Sequence, residues 1–480
     1  MNVNDIRRAI LDTLPSETSL SGAPPKQESI YLPVAHTKAL ALENSLVVGA
    51  RGVGKSFWWS ALQDEKIRRT LEPYQRDLSK LFLVSAGHGE KPNIQSYPDM
   101  QTLDKLLETE HDPLQVWRAV TVRWLGSLVQ ESFPTDSWET TVHWVKDNPE
   151  HFAKIVERSN TLLKDKGQHA LLLFDALDRT SHDWRTMDRI VRDLLHFLLY
   201  LKPFDHIHAK VFLREDQFEG RKVRDFPDAS KLLATRVELT WGSIDLHGLL
   251  WQHLINGQGR DGEILRTIFQ EGSGLKITQD DGVFKLPEAM RRDEKIQRSV
   301  FIKLAGERMG KDPRRGVPYT WVISHLADGY RRVSPRSFIA AIRNAAEDSL
   351  MRYTDYEFPL HHESIKRGVQ KASAIRINEV QEDYPWIERL MNPLKGVTVP
   401  CEFSIIEQRW RDDQALDKSK YTEDRLPPER LQDGPQGVRQ DLESLGIFER
   451  VKDDRVNMPD LYRVGFRLGR RGGVKPVPKG

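Results

Sequence analysis

One run of eight residues constrains this chain more than any other: Gly49-Ala50-Arg51-Gly52-Val53-Gly54-Lys55-Ser56. It fits the pattern G-x-x-x-x-G-K-[ST] at every fixed position. Ser45-Leu-Val-Val before it reads as a buried strand, and Phe57-Trp-Trp-Ser-Ala-Leu-Gln after it as a helix start. In a strand, glycine loop, helix context, the backbone N–H groups turn inward around phosphates. Lys55 is then expected to reach the β- and γ-phosphates and Ser56 to hold Mg²⁺. The helix would present its positive end to the same anion. The expected nucleotide-binding set is Gly49, Ala50, Arg51, Gly52, Val53, Gly54, Lys55, Ser56 and Phe57.

Such a loop needs an acidic residue at the end of a neighbouring strand, to hold the metal through water. His169-Ala-Leu-Leu-Leu-Phe suits a central parallel strand buried on both faces, and Asp175 follows it directly. Ser56 and Asp175 are therefore the expected metal pair. Many related ATPases carry a glutamate next, to orient water; here that position is Ala176. Asp178 is the nearest substitute, with Glu215 and Asp216 further away, so hydrolysis is expected to be slow or partner-dependent. Lys55 and Asp175 lie 120 residues apart, which leaves room for an additional strand, and residues 81–86 can supply it. The strand expected at 207–213 ends in Arg214-Glu215-Asp216. Arg214 is expected either to sense the γ-phosphate or to pair with Glu215 or Asp216. Further on, Ser334 can cap a helix and Pro335 suits its first turn. Arg336 then sits where the helix dipole disfavours a cation, so an anion such as phosphate is a fitting partner; plain exposure is the alternative.

The 480 residues are enough for about three domains of ordinary size. Strand patterns at 45–49, 81–86, 169–174, 207–213 and 237–241 alternate with helical ones, which implies a mostly parallel sheet with helices on both faces. From about 257 to 425 the pattern is mainly helical. Breaks rich in Gly and Pro fall at 21–27, 256–262 and 425–437. The expected division is an N-terminal helix and linker (1–29), a core (30–256), a helical lid (257–355) and a C-terminal helical and winged-helix-like region with a basic tail (356–480). Lys+Arg 72 against Asp+Glu 70 argues against a surface that grips nucleic acid everywhere. The single cysteine, Cys401, forms no disulfide within the chain and suits a reducing compartment. No stretch approaches the roughly 20 apolar residues of a membrane span, and the N-terminus lacks a signal-peptide core. The expectation is a cytoplasmic protein without a membrane partner.

Gly49–Ser56, the strand ending at Asp175, the Arg214 strand end and the Ser334-Pro335-Arg336 helix together resemble AAA+ and STAND-type P-loop ATPases. The chain looks most like bacterial members that lie between those classes and end in a winged-helix segment, a resemblance covering residues 30–350. It implies an αβα core with a mainly parallel sheet, followed by a helical lid and a winged-helix-like segment. It also implies ATP and Mg²⁺ as cofactors and ATP hydrolysis. Lys55, Asp175, Asp178, Arg214 and Arg336 become the catalytic candidates, and nucleotide-driven switching or assembly is expected to act on a protein partner or on further copies of the chain; the alternatives are a low-turnover ATP-binding adaptor that recruits a protein through its C-terminal region and a nucleic-acid-stimulated motor. Bacterial conflict systems, transposition and transcriptional control are settings for such proteins. Arg236, Arg314 and Arg315 are arginine-finger candidates, with a solvated role as the alternative for each.

Other classes lack their marks. There is no Asn/Thr-Lys-x-Asp to read guanine, no ABC signature after the loop, no H-E-x-x-H and no G-x-S-x-G. His361-His362 and His206-x-His208 are weak metal candidates. Near the C-terminus, a helix at 436–445 closed by Gly446, then two short strands, reads as a winged-helix unit. Its candidate recognition helix carries Arg439, Asp441 and Glu443 and is net acidic, which favours packing or a protein partner over DNA. The segment from Arg463 to Gly480 holds Arg467, Arg470, Arg471, Lys475 and Lys479 and no acid. It is the candidate contact for nucleic acid, or else a solvated tail.

Overall fold

A computed structural model describes residues 2–16, 25–109, 112–219, 223–421, 426–470 and 474–475. The chain divides into two compact units, one of Leu20–Gln27 and Leu32–Thr240, the other of Met1–Ser19, Glu28–Tyr31 and Trp241–Gly480. Residues 17–24, which include the start of the first break read from the sequence (21–27), lie outside the described residues.

The first unit is an α/β layer structure. Five strands, β1 (Leu46–Gly49), β2 (Leu81–His88), β3 (His169–Phe174), β4 (Ile207–Arg214) and β5 (Val237–Glu238), form one parallel sheet in the order β2-β3-β4-β1-β5. Parallel pairing demands crossovers, and helices supply them. All five expected strands are present. The strand that separates β1 from β3 is β4, whereas β2, offered by the sequence as the additional strand, lies at the sheet edge beyond β3. Strand order in space is not chain order, and the apolar pattern alone cannot fix it.

Burial explains the elements. Every residue of β1 is buried, as is all of β3 after His169, because both strands are covered on two faces. The helix Trp184–Leu201 begins where Asp183 accepts a hydrogen bond from the Thr186 N–H. It buries Met187, Ile190, Val191, Leu194, Leu195, Leu198 and Leu201 along one face, at the spacing of a helix stripe. Each such side chain stabilises by about 1.5–3 kcal/mol. Leu194→Ala would therefore cost about 2–5 kcal/mol through transfer and cavity terms.

The second unit is mainly helical. The helix Val3–Thr13 packs on the helices Gly259–Ser273 and Pro335–Arg352. Arg7 is buried there and donates to the Pro359 and Phe358 carbonyls at 2.8 and 3.1 Å. The N-terminal helix is thus part of the helical unit rather than a segment by itself. The sequence reading puts the end of the core at 256, but the helix Ser243–Ile255 falls within the helical unit. A helix at Gly434–Ser444 and a hairpin of β8 (Glu449–Arg450) and β9 (Val456–Asn457) stand where the winged-helix-like unit was expected; a separate hairpin, β6 (Thr278–Asp280) with β7 (Val283–Lys285), lies earlier in the chain. Among the described residues no helix is long and apolar enough to cross a membrane.

The C-terminal charges differ from the expectation of a basic tail. Arg463 is buried and paired with Asp460 at 2.8 Å, and it also donates to the Leu468 and Val474 carbonyls. Arg470 binds the same Asp460 at 3.0 Å. One buried carboxylate thus holds two of the cations, and desolvation makes such pairing obligatory. Of the others, Arg467 and Lys475 are exposed, whereas Arg471 and Lys479 lie outside the described residues. In the preceding helix, Arg439 is buried against Glu443 and Asp454, and Asp441 against Arg430. These charges serve internal packing, and the helix offers no recognition face through them.

Candidate nucleotide site

Open parallel sheets place ligand sites beyond the carboxyl ends of their strands. Gly49 and Arg214 are register partners at the ends of β1 and β4. Phe174, at the end of β3, pairs with Val211 of β4 and with His88 of β2. The candidate side chains from β1, β3 and β4 therefore converge on one edge.

The loop after β1 requires its glycines. Gly54 has φ 105°, a left-handed backbone that caps the helix Lys55–Gln63 with no side chain over its N–H groups. At Gly49 an added Cβ would lie 2.7 Å from Val53 Cγ2, so a larger residue would push the loop open. Lys55 Nζ folds back to donate to the Gly49 and Ala50 carbonyls at 2.9 and 2.8 Å. Burial holds its pKa down to about 8; Arg214 adds to that, while Asp175, Asp216 and Asp178 oppose it. The ammonium is thus in electrostatic reach of Asp175, Asp178, Arg214 and Asp216.

Asp175 is buried at the end of β3, and the neighbouring Ser56 side chain favours its charged form. Burial raises its pKa, against the lowering pull of Ser56 and Lys55. A hydroxyl and a carboxylate side by side form the oxygen pair that Mg²⁺ takes, with water filling its octahedron. The residues present fit that ion. Ala176 follows with φ 55°, a left-handed conformation that L-residues adopt at a cost.

Asp178 and Arg214 form the third part. Arg214 Nη1 lies 3.5 Å from Asp178, and its other nitrogens bind Asp216 at 3.0 and 3.1 Å. The ion pair with Asp216 that the sequence offered as an alternative is present, and it holds Arg214 beside Asp178. Glu215 opens the helix Glu215–Glu219 next to them.

Arg51 and Phe57 are half-buried in the loop and the following helix. Arg336, in the helical unit, binds Glu379 at 2.7 Å. Arg314 pairs with Asp312 at 3.3 Å and is exposed, and Arg236 lies 5.4 Å over the Phe218 ring. Among the described residues, no group of three or more His, Cys, Asp or Glu could hold a metal; His208 meets His169 at 3.0 Å, and His361 stacks on Tyr353 at 3.6 Å.

Two histidines at the site escaped the sequence reading. His88 Nδ1 lies 2.8 Å from the Asp175 carbonyl, which can only accept, so Nδ1 carries the proton and pins the backbone beside the carboxylate. His36 accepts from Trp58 Nε1 at 3.0 Å and donates from Nε2 to the Thr240 carbonyl at 3.0 Å. Burial pushes its pKa down to about 4, which fits the neutral tautomer these bonds require. That bridge joins the segment before β1, the helix after the loop and the chain beyond β5. No local pattern marks either residue.

The sheet order, the glycine loop after β1 and the acid after β3 define an α/β fold with a five-stranded parallel sheet and a phosphate-loop motif, with a helical region C-terminal to it. No protein-family model and no curated protein matches the chain. Solved structures similar to it include the Aeropyrum pernix ORC2 protein in ADPNP–ADP complexes, at 12% identity over 91% of this chain and 94% of that one, TM-score 0.41. Its ADP form gives 13% identity over 94% and 92%, TM-score 0.33. CDC6P from Pyrobaculum aerophilum gives 12% identity over 87% and 83%, TM-score 0.29. At these values the likenesses carry no functional argument, and the reading below rests on the site's own geometry.

Proposed function

We propose that this chain binds ATP with Mg²⁺, hydrolyses it slowly, and uses the difference between its nucleotide states to regulate a protein partner or its own assembly. The observation that carries the reading is the meeting of Lys55, the Ser56–Asp175 pair and the Asp178–Arg214–Asp216 cluster at one sheet edge. Loop N–H groups cradle the phosphates, and Lys55 exchanges its carbonyl partners for β- and γ-phosphate oxygens. Ser56 and Asp175 would hold Mg²⁺, which when bound would neutralise charge on those oxygens. Asp178 orients a water and accepts its proton as the water oxygen bonds the γ-phosphorus and the bond to the β–γ bridging oxygen breaks. Arg214 moves from carboxylate to phosphate and reports the γ-phosphate. Arg336 is proposed as a second sensor, which requires its Glu379 pair to open.

Ala176 favours low turnover, because no carboxylate stands directly after Asp175. A nucleotide-holding adaptor is therefore the second reading. ATP binding by calorimetry and phosphate release, measured for wild type and Asp175→Asn, test the proposal. The variant should stay folded and lose Mg²⁺-dependent release. Wild-type release in Asp175→Asn, or no ATP binding by wild type, would refute it. Binding without any release favours the adaptor.

A further inference from the structure

The loop between the helices Glu294–Ala305 and Pro318–Leu326 is unlike a solvated connector. Its base is closed by Met309 N–H to the Gly316 carbonyl at 2.9 Å, and the Met309 side chain is fully buried. Gly310, at φ 109°, lies against the His362 ring, with an added Cβ 3.3 Å from it. The loop is thus anchored in the helical unit. Arg308, Lys311, Arg314 and Arg315 are nevertheless all exposed. Asp312 is spent on Arg314, from which it accepts both backbone and side-chain bonds. Glu307 is the other acid of the loop. Between Gly310 and Gly316 three cations face one acid, on a chain whose overall charge is only +2.

We propose that this loop is a nucleic-acid contact that grips phosphates without reading sequence. Fixing like charges close together in water costs free energy unless an anion completes them. Three of the four cations are arginines, whose planar forks suit phosphate oxygens. Met309 is buried and Val317 is half-buried at the loop's end, so among the described residues the loop presents charge rather than an apolar wedge to a membrane. At the foot of the loop Trp321, half-buried and stacked on His325 at 3.9 Å, touches Gly316 and gives a base a surface to lie on. The inference stands apart from the nucleotide site. It assigns nucleic acid to this loop, not to the C-terminal arginines that Asp460 holds.

The test is fluorescence anisotropy of the full chain with labelled 20-nucleotide single-stranded DNA at several salt concentrations, with phosphatidylserine vesicles as a second arm. Wild type should bind with a slope of log K against log salt of about −2 to −3, for three to four phosphates. The triple variant Lys311→Ala/Arg314→Ala/Arg315→Ala should bind at least tenfold more weakly and lose about 2 from that slope. Arg467→Ala/Lys475→Ala, on the exposed C-terminal cations, should bind as wild type. The proposal is overturned if wild type does not bind DNA, if the triple variant binds like wild type, or if vesicles are bound and DNA is not. It also fails if the triple variant loses only ATP turnover, since an arginine finger would explain that.

Discussion

Replacing Lys55 by alanine tests the site at its most exposed assumption. In the structure the ammonium makes two bonds to neutral carbonyls, at Gly49 and Ala50. Bound phosphates would replace both acceptors with charged ones. A bond to a charged partner is worth about 1.5–3 kcal/mol against about 1 for a neutral one. Two such exchanges give a differential of about 1–4 kcal/mol, a loss of roughly 5-fold to 10³-fold in affinity. Titration calorimetry with ATP and with ADP reads this directly. ADP should lose less, because only the β-phosphate remains in reach. The ligand-free variant should melt no lower than wild type, since it no longer buries a cation whose pKa burial has pushed down to about 8. An ATP affinity within threefold of wild type, in a variant that melts normally, would show that Lys55 does not face phosphate, and the placement of nucleotide at this loop would fall with it.

Three further outcomes are expected. Asp178→Asn should keep ATP binding and slow phosphate release about 10²-fold or more; full turnover there, with loss in Glu215→Gln, would transfer the water-orienting role to Glu215. Arg336→Ala should bind ADP as wild type does yet lose the compaction or assembly that a non-hydrolysable ATP analogue induces, as read by small-angle scattering and sedimentation. A variant that still switches would leave Arg214 as the sensor. Stability should fall in acid: burial holds His247 down to about 3 and His208 to about 4, below the unfolded value of about 6.5. The folded protein therefore binds fewer protons, so this stability is full above pH 6.5 and is lost as pH falls toward 4, at up to about 1.4 kcal/mol per pH unit for each group. Equal urea midpoints at pH 7 and pH 5 would contradict it.

The parts of the site that a reader of the sequence can find are those written in consecutive residues. Gly49–Ser56 and the run ending at Asp175 are local patterns with one physical meaning, and the structure places both on the same sheet edge. Arg214 was legible as a choice between two roles, because Asp216 stands two residues away; the structure supplies that ion pair. His88 and His36 were not legible. Each acts through partners on other elements, such as Asp175 for His88 and Thr240 for His36, and nothing near them in sequence marks the contact. The C-terminal arginines show the opposite failure. Asp460 lies three residues before Arg463, a helical spacing that was available as a warning. The acid stands just before the basic run that begins at 463, so the run alone reads as a tail whereas Arg463 belongs to a buried ion pair.

Ala176 bears on time. Its left-handed backbone is already in place for a side chain of any length, so a glutamate there would meet the same φ that alanine meets now. The protein instead keeps a methyl group, and a positioned base is worth about 10²–10⁴ in rate. On the proposed reading, each ATP that binds would outlast its counterpart in an Asp-Glu enzyme by the part of that factor that Asp178, two residues further on, does not recover. A long-lived complex does little work per hour but makes a durable record that ATP arrived, erased only when a partner hastens the reaction or the slow internal chemistry runs out. The interval between those two events is then what the cell can read.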